Sequence, residues 1–286
     1  MKQFGNSIDD YYDNPVKEYP LLSRALFRVA VAVVLVFSKL YWRWTTEGPH
    51  GFKGVPRDAP GRVVVANHGS MFDPVVLILD ATFHGRTLRP LYKSELDKVG
   101  LVNWFFSRVG GIPIKRGTAD MKAIRRAVAS LKRGEDICIF PEGTRIRDPH
   151  ARPPLHGGFA IIAQMAKADV VPVAIDGSDE ICPSGKGLSR PAKVRLRYGA
   201  PLSFDDVPGA GRREKADAME AAAMARVYEL RNELRLAHGK PSSLPAAPTS
   251  GGVPTTPAAS DTLTTPAAPA VADAPAGTPE QGSDAR

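Results

Sequence analysis

Residues 63–79 read VVVANHGSMFDPVVLIL, which is a short apolar run, a polar loop and a second apolar run. The first run, Val63–Ala66, has the length and the β-branched content of a buried strand. Asp73-Pro74 before the second run favours a helix start, because aspartate caps helix N-termini and proline fits the first turn. The stretch therefore predicts a strand–loop–helix unit whose loop carries His68 at the carboxyl end of the strand, where α/β proteins place reactive groups.

The alternation of apolar runs and helical patterns continues along the chain. Further strand candidates lie at 88–92, 137–140, 170–175 and 194–198. A helix is predicted between Thr118, its expected cap, and Gly134, its expected end, and the last helix runs from about Arg213 to His238. This rhythm predicts an α/β fold with a central mixed, largely parallel sheet flanked by helices.

Composition divides the chain into four segments. Residues 1–20 are polar. We expect residues 21–44 to form a helical segment that interacts with a membrane, and residues 45–240 to form the α/β domain. Residues 241–286 are rich in Ala, Pro, Thr and Ser and carry almost no large apolar side chains. Such a tail cannot bury enough surface to offset its chain entropy, so we expect it to be disordered.

The segment 21–44 reads LLSRALFRVAVAVVLVFSKLYWRW, and its longest uninterrupted apolar run is 29–37. That run is shorter than the roughly 20 residues that cross a bilayer. Basic side chains lie throughout the segment and aromatic ones at its end, and both suit the headgroup region. We therefore expect a helix that lies in one leaflet, with a true span and a soluble core helix as the alternatives.

The formal net charge is +8, and the acidic balance of residues 241–286 leaves the preceding body near +11. A basic excess favours an anionic partner: nucleic acid, a phospholipid surface or a phosphorylated small molecule. No compact nucleic-acid-binding signature with a run of aromatics among basic residues accompanies the charge, and neither Cys138 nor Cys182 has metal-ligand spacing. We therefore expect no nucleic acid partner. The basic residues are expected to bind the membrane surface and an anionic substrate, and the alternative is a basic surface that is only solvated. Cys138 lies in a strand-like run and is expected to be a buried, inert thiol.

His68 is followed five residues later by Asp73. A histidine whose tautomer is fixed by a carboxylate can remove the proton of an attacking hydroxyl. By itself the pair is a weak signal, because Asp73 also suits a purely capping role, and both roles are compatible. There is no Gly-x-Ser-x-Gly elbow and no plausible cysteine nucleophile, which favours direct attack over a covalent intermediate. Ser70 is expected to make local hydrogen bonds.

Two further loops carry cationic groups. Residues 140–145 read FPEGTR and residues 110–116 read GGIPIKR. Arg145 can hold a phosphate through two parallel hydrogen bonds, and basic groups from separate loops suit one phosphate better than either does alone. The alternative for the first loop is a surface pair between Glu142 and Arg145, which contributes little. The run 171–175, VPVAI, is most simply a buried strand with an edge or bulge proline.

The order of these motifs resembles the glycerolipid acyltransferase family, and most closely its bacterial 1-acyl-sn-glycerol-3-phosphate acyltransferases. The family's four blocks are NHxSxxD, GxxxIxR, FPEGTR and a proline strand; here they are similar to residues 67–73, 110–116, 140–145 and 170–175. The resemblance covers about residues 45–205. One departure is His156-Gly157-Gly158, where members often carry Lys-x-Gly, so this loop lacks the lysine that would supply a basic contact.

The resemblance implies a role for each motif. His68 would be the general base, Asp73 its orienting partner, and Arg116 the contact to the acceptor phosphate. Residues of the third block would help to hold the acceptor: Glu142, Gly143, Thr144 and Arg145. No metal and no other cofactor is implied.

The implied reaction moves an acyl group from acyl-CoA or acyl carrier protein to the hydroxyl of 1-acyl-sn-glycerol-3-phosphate, a lysophospholipid, and yields phosphatidic acid for phospholipid biosynthesis. The protein would be peripheral or monotopic on the cytoplasmic face of the cell membrane. The alternatives are an acyltransferase for another lipid acceptor and a catalytically silent phospholipid-binding protein. The intact His68, Asp73 and Arg145 count against the silent protein.

Overall fold

The computed structural model of the chain describes residues 8–95, 100–115, 120–156, 158–183 and 189–244. The predicted role of Arg116 and the predicted disorder of residues 245–286 fall outside these ranges. All the described residues lie in one compact unit, Met1–Pro245.

Seven strands form one sheet within the described part of the chain. They are β1 (Thr45–Glu47), β2 (Val63–Ala66), β3 (Leu88–Lys93), β4 (Ile112–Ile114), β5 (Asp136–Ile139), β6 (Val170–Asp176) and β7 (Arg195–Tyr198). The helices are α1 (Asp9–Asp13), α2 (Leu21–Tyr41), α3 (Asp73–Phe83), α4 (Gly100–Arg108), α5 (Met121–Lys132), α6 (Gly158–Ala166) and α7 (Arg212–Ala237). Short 3-10 helices lie at Val16–Glu18 and Asp179–Ile181.

The strand order across the sheet is β1-β7-β6-β2-β5-β3-β4. The five strands from β6 to β4 are parallel. β7 pairs antiparallel with β6, and β1 pairs parallel with β7, so these two run the opposite way. The predicted α/β fold with a mixed, largely parallel sheet is confirmed.

The central strand β2 lies between β5 and β6, and all of its residues are completely buried. Alternate side chains point to opposite faces of the sheet. Val64 packs in a cluster with side chains of α2 and α3, whereas Val63 and Val65 pack in a cluster with α5, α6 and α7. Because loops after parallel strands emerge at the same edge, the loops that follow β2, β5 and β6 are neighbours.

The sequence expectations differ from the structure at a few elements. β1 was not predicted, because its sequence, TTE, is polar and lies at the sheet edge. The N-cap of α5 is Asp120 and not Thr118, because the Asp120 carboxylate reaches the backbone N–H of Ala123 at 3.1 Å. Gly134 follows the end of α5 with φ of +84°, as its predicted stop role requires.

The N-terminal residues from position 8 onward pack on the α/β domain. Tyr11, Tyr12 and Tyr19 are buried. Arg89 on β3 is completely buried and donates to the backbone carbonyls of Tyr11 and Tyr12 at 3.2 Å and 2.7 Å. Arg126 on α5 is hydrogen-bonded to carboxylates at both ends of α1. The first twenty residues, although polar in composition, therefore contain tyrosines that pack in the interior of the domain.

The residues that follow α7 also contact the domain. Ser243 is buried, and its carbonyl accepts a hydrogen bond from Arg152 Nη2 at 2.8 Å. Its backbone N–H donates to Asn232 Oδ1 at 2.9 Å. The boundary expected at residue 241 thus lies inside a segment that is hydrogen-bonded to α7 and to the loop that carries Arg152.

Helix α2 has one covered side and one exposed apolar side. Val31 and Ser38 are buried, and Ser38 accepts a hydrogen bond from Trp44 Nε1 at 3.1 Å. The exposed side carries large apolar side chains at helical spacing: Leu21, Leu22, Leu26, Val29, Val33, Val36, Phe37 and Leu40. By length and composition α2 could cross a membrane, and only 11% of its apolar window is buried. The exposed apolar side suggests membrane association.

Candidate active site

The loop after β2 is fixed to the neighbouring strand β6. The side-chain amide of Asn67 donates to the carbonyl of Ile175 at 2.9 Å, and its oxygen accepts from the Ile175 backbone N–H at 2.8 Å. Both bonds are buried, so they are not in competition with water. The residue after Asn67, His68, therefore begins its loop from a rigid position.

The Asp73 carboxylate turns back over this loop. Its Oδ2 lies 2.9 Å from His68 Nδ1 and accepts the backbone N–H groups of Gly69 and Ser70, each at 2.8 Å. The side chain of Asp73 is completely buried. The N-cap of α3 is Phe72, and no side chain caps this helix. The Asp73 carboxylate instead binds backbone amides of the loop that precedes the helix. The structure brings the two residues of the first predicted motif together.

The contact determines which nitrogen of His68 faces outward as an acceptor. An ionised carboxylate only accepts hydrogen bonds, so in the neutral imidazole of His68 the proton is on Nδ1 and the lone pair is on Nε2. Nε2 makes no hydrogen bond with any described residue, and the His68 side chain is 18% exposed. The ring stacks on Phe140, with 4.3 Å between centroids and 27° between planes. The contact with Asp73 thus leaves Nε2 as the accessible nitrogen of the His68 ring.

The loop after β5 is hydrogen-bonded to both main-chain groups of His68. The backbone N–H of His68 donates to Glu142 Oε2 at 2.7 Å, and its carbonyl accepts from the Ile146 N–H at 2.6 Å. Glu142 is only 3% exposed, and its Oε1 accepts from the Tyr228 hydroxyl at 3.2 Å. Burial raises the pKa of Glu142, while the hydrogen bonds from His68 and Tyr228 and the charge of Arg231 act in the opposite direction.

Gly143 forms the turn of this loop with φ of +65°, a left-handed conformation that glycine adopts without strain. A side chain at this position would also collide with the ring of His156. The backbone N–H of His156 donates to the carbonyl of Pro141 at 2.9 Å. The histidine that stands where the family often has lysine therefore packs on the turn that carries Glu142.

Thr144 and Arg145 face solvent, in contrast to Glu142. Among the described residues Arg145 has no ion-pair or hydrogen-bond partner, so the surface pair between Glu142 and Arg145 is not formed. Lys115 is exposed just after β4, and Arg116 lies outside the described residues. β3 and β5 separate β4 from β2, which at about 4.8 Å per strand places β4 roughly 14 Å from the strand of His68.

Both cysteines are buried, and burial raises the pKa of the Cys138 thiol far above its usual range. The predicted buried thiol at Cys138 is confirmed, and a thiol in this state is a poor nucleophile. Within the described residues no group of three or more His, Cys, Asp or Glu side chains is arranged to hold a metal ion.

Sequence reasoning missed the contribution of α7 to the site. Tyr228 reaches Glu142, and Arg152 lies over the Tyr228 ring with 4.0 Å to its centroid. Arg231, one turn further on, is 4% exposed. The available signal was the polar character of Tyr228 and Arg231 next to the apolar positions Val227 and Leu230 of a helix face that is otherwise buried.

Comparison with known proteins supplies an independent line of evidence. Residues 50–176 match a family model described as Acyltransferase. The 1-acyl-sn-glycerol-3-phosphate acyltransferase of Bacillus subtilis is 31% identical over 185 residues, which cover 64% of this chain and 86% of that protein. The Lyso-ornithine lipid O-acyltransferase of Pseudomonas aeruginosa is 35% identical over 114 residues, 39% of this chain and 41% of that protein.

A solved structure has the same fold. The crystal structure of the 1-acyl-sn-glycerophosphate acyltransferase PlsC from Thermotoga maritima superimposes with a TM-score of 0.54 at 27% sequence identity. The match covers 72% of this chain and 82% of that one.

Proposed function

The chain belongs to the acyltransferase family, and we propose on that premise that it acylates 1-acyl-sn-glycerol-3-phosphate to give phosphatidic acid. It is an O-acyltransferase that takes the fatty acyl group from a thioester. The observation that carries the proposal is the His68–Asp73 pair at the end of β2, with Nδ1 held by the carboxylate at 2.9 Å and Nε2 open.

In the proposed mechanism His68 Nε2 removes the proton of the acceptor hydroxyl as its oxygen attacks the thioester carbonyl carbon. The tetrahedral intermediate collapses with cleavage of the C–S bond, and the proton on Nε2 passes to the departing thiolate. Asp73 keeps Nδ1 protonated and stabilises the imidazolium that forms. General base catalysis of this kind typically contributes about 10²- to 10⁴-fold.

We assign the acceptor phosphate to Arg145 and Arg116, and a supporting contact to Thr144, which precedes Arg145 in the chain. The exposure of Arg145 and its lack of a partner among the described residues leave its guanidinium available for two parallel hydrogen bonds to a phosphate. Glu142 and Gly143 act indirectly on the acceptor site by fixing the loop that carries Arg145. The Glu142 carboxylate is hydrogen-bonded to His68 and Tyr228, and Gly143 forms the turn.

Membrane-borne substrate is reached through α2, which we propose lies in one leaflet on the cytoplasmic face of the cell membrane. Its exposed apolar side provides the inserted surface, and its other side is covered by the domain. Trp42, at the end of α2, packs on Phe72 of the His68 loop with 4.8 Å between ring centroids. A helix placed at the interface would therefore hold the catalytic loop close to the lipid headgroups.

A second acceptor has specific support. The 35% identity to the lyso-ornithine lipid O-acyltransferase of Pseudomonas aeruginosa favours an acyltransferase that takes a different lipid with a free hydroxyl. Such an acceptor lacks a phosphate, and it would leave Arg145 and Arg116 without their assigned ligand.

The test is an acceptor panel with the purified full chain in detergent micelles. Lysophosphatidic acid and lyso-ornithine lipid are offered separately, each with acyl-CoA and with acyl carrier protein as donor, and His68→Ala serves as the inactive control. The proposal expects the highest kcat/KM with lysophosphatidic acid. Preferred acylation of lyso-ornithine lipid would replace the proposed acceptor, and turnover of neither lipid by the native chain would overturn both.

A further inference from the structure

Three polar side chains on one side of α7 lie near the edge of the sheet that holds His68. Tyr228 donates to Glu142, and Arg235 Nη1 lies 3.1 Å from Asp176 Oδ1 at the end of β6. Arg231 lies between them along the helix. The spacing of three and four residues places the three side chains in one row.

Arg231 differs from its two neighbours in this row. It is 4% exposed, its Nε is buried without a partner, and none of its nitrogens is hydrogen-bonded to a described residue. A buried N–H group without a hydrogen bond is costly. Arg231 lies one helical turn from Tyr228, which donates to Glu142, so its side chain is on the side of α7 that carries this contact. The positive charge of Arg231 acts against the rise in the pKa of Glu142.

The Glu142 carboxylate links the main chain of His68 to α7. Each of its oxygens accepts one hydrogen bond, Oε2 from the His68 backbone and Oε1 from Tyr228. An ionised acceptor makes shorter and stronger hydrogen bonds than a neutral one, whereas burial favours the neutral form. The groups that face Glu142 are His68 from the loop after β2 and Tyr228 and Arg231 from α7.

We propose that Tyr228 and Arg231 are positioning residues for the acyl transfer: they hold the Glu142 carboxylate in the place that fixes the main-chain turn at His68. The imidazole is then presented at the correct angle to the acceptor hydroxyl. This inference rests on the proposed function, and it assigns a catalytic contribution to α7, which none of the sequence motifs includes.

The first test measures steady-state kinetics of Tyr228→Phe and Arg231→Gln in the full chain with lysophosphatidic acid and acyl-CoA. We expect kcat to fall about tenfold in each variant, because each loses support for a charged hydrogen-bond acceptor, while both KM values change less than about twofold. A rise in the KM for lysophosphatidic acid alone in Arg231→Gln would overturn the role of Arg231 and make it a phosphate ligand.

Matched controls separate positioning from general loss of stability. Tyr198→Phe removes a buried hydrogen bond of 2.8 Å to another carboxylate, Asp80, and Arg235→Gln removes the ion pair one turn along α7. Both controls should retain the native kcat. An equal fall in kcat in the controls would overturn the proposal, and if Arg231→Gln does not fold, Tyr228→Phe against Tyr198→Phe decides alone.

A second readout does not depend on acyl transfer. The side-chain carboxyl of Glu142 is followed by ¹³C NMR as a function of pH in the native chain, the two variants and the controls. Removal of the Tyr228 hydroxyl or of the Arg231 charge should move the Glu142 titration to higher pH. An unchanged midpoint in both variants would overturn the inference even if the native chain failed to acylate lysophosphatidic acid.

Discussion

Asp73 Oδ2 lies 2.9 Å from His68 Nδ1 and is at the same time hydrogen-bonded to two backbone N–H groups of the intervening loop, at Gly69 and Ser70. One buried oxygen therefore shapes the loop and orients the imidazole. The capping and catalytic interpretations of Asp73 are consequently compatible. The backbone N–H groups that Asp73 caps belong to the loop before α3.

Removal of the imidazole should abolish turnover and leave the fold intact. His68→Ala is expected to lower kcat by about 10²- to 10⁴-fold, because the base is lost. The melting temperature should change little, since the ring is partly exposed and makes a single side-chain hydrogen bond. A fully active His68→Ala protein would contradict the assignment of His68 as the base.

Asp73→Asn and Asp73→Ala separate orientation of the histidine from support of the loop. Asparagine keeps an oxygen for the amides of Gly69 and Ser70 but does not select the Nδ1–H tautomer of His68, so kcat should fall with a small loss of stability. Alanine should cost about 1–3 kcal/mol in unfolding free energy, because it leaves those amides unsatisfied. Turnover and thermal unfolding are measured for both variants. Near-normal turnover of Asp73→Asn would contradict the orienting role of Asp73, and only its loop-capping role would remain.

Arg145→Ala should act on the acceptor. The KM for lysophosphatidic acid is expected to rise more than the KM for the thioester, because the guanidinium is assigned to the phosphate. Arg147→Ala is the matched control, since Arg147 is exposed two residues further on and is hydrogen-bonded to the carbonyl of Pro183. Equal effects of Arg145→Ala on both substrates would count against the assignment.

The exposed side of α2 should govern vesicle binding. Leu26→Asp and Val33→Asp place a charge on the surface proposed to insert, and each should reduce binding to anionic phospholipid vesicles while activity on a soluble short-chain acceptor is retained. Leu236→Asp, at an exposed leucine of α7, is the control. Native protein that is released completely by high salt alone would show a purely electrostatic association.

The C-terminal tail should be dispensable only beyond Pro245. Truncation after Pro245 is expected to preserve activity on vesicles, because the predicted disordered tail carries no core residues. Truncation before Pro241 should lower the melting temperature, since it removes the buried Ser243 and its hydrogen bonds to Arg152 and Asn232. Equal melting temperatures of the two truncated chains would place the boundary at 241.

Glu142 should make stability fall as pH rises. Burial raises its folded-state pKa above the unfolded value, so the folded state binds more protons between the two values. The loss begins near the unfolded pKa of about 4.3 and is complete above the folded pKa. Glu142→Gln should be free of this contribution, and parallel pH dependences of unfolding in the native and variant chains would contradict it.

Local patterns were enough to predict the architecture and the reactive pair. The strand candidates lie within one residue of the bounds of β3, β5, β6 and β7, and β2 has its bounds unchanged. β2, β5 and β6 were found because buried parallel strands are nearly continuous apolar segments. The polar strand β1 and the anchoring of Tyr11 and Tyr12 were not predictable in this way. Both depend on partners distant in sequence, β7 for the strand and Arg89 for the tyrosines.

Short-range spacing and residue type were enough to establish the α/β class, the strand-end position of His68 and the chemical groups available in the loops. Long-range packing sets the rest: Glu142 turns inward to the His68 main chain while Arg145 stays exposed, and Tyr228, 86 residues away on α7, donates to Glu142. The direction of each side chain is set by burial and by hydrogen-bond partners that the parallel packing of β2, β5 and β6 brings together, and no local pattern records those partners.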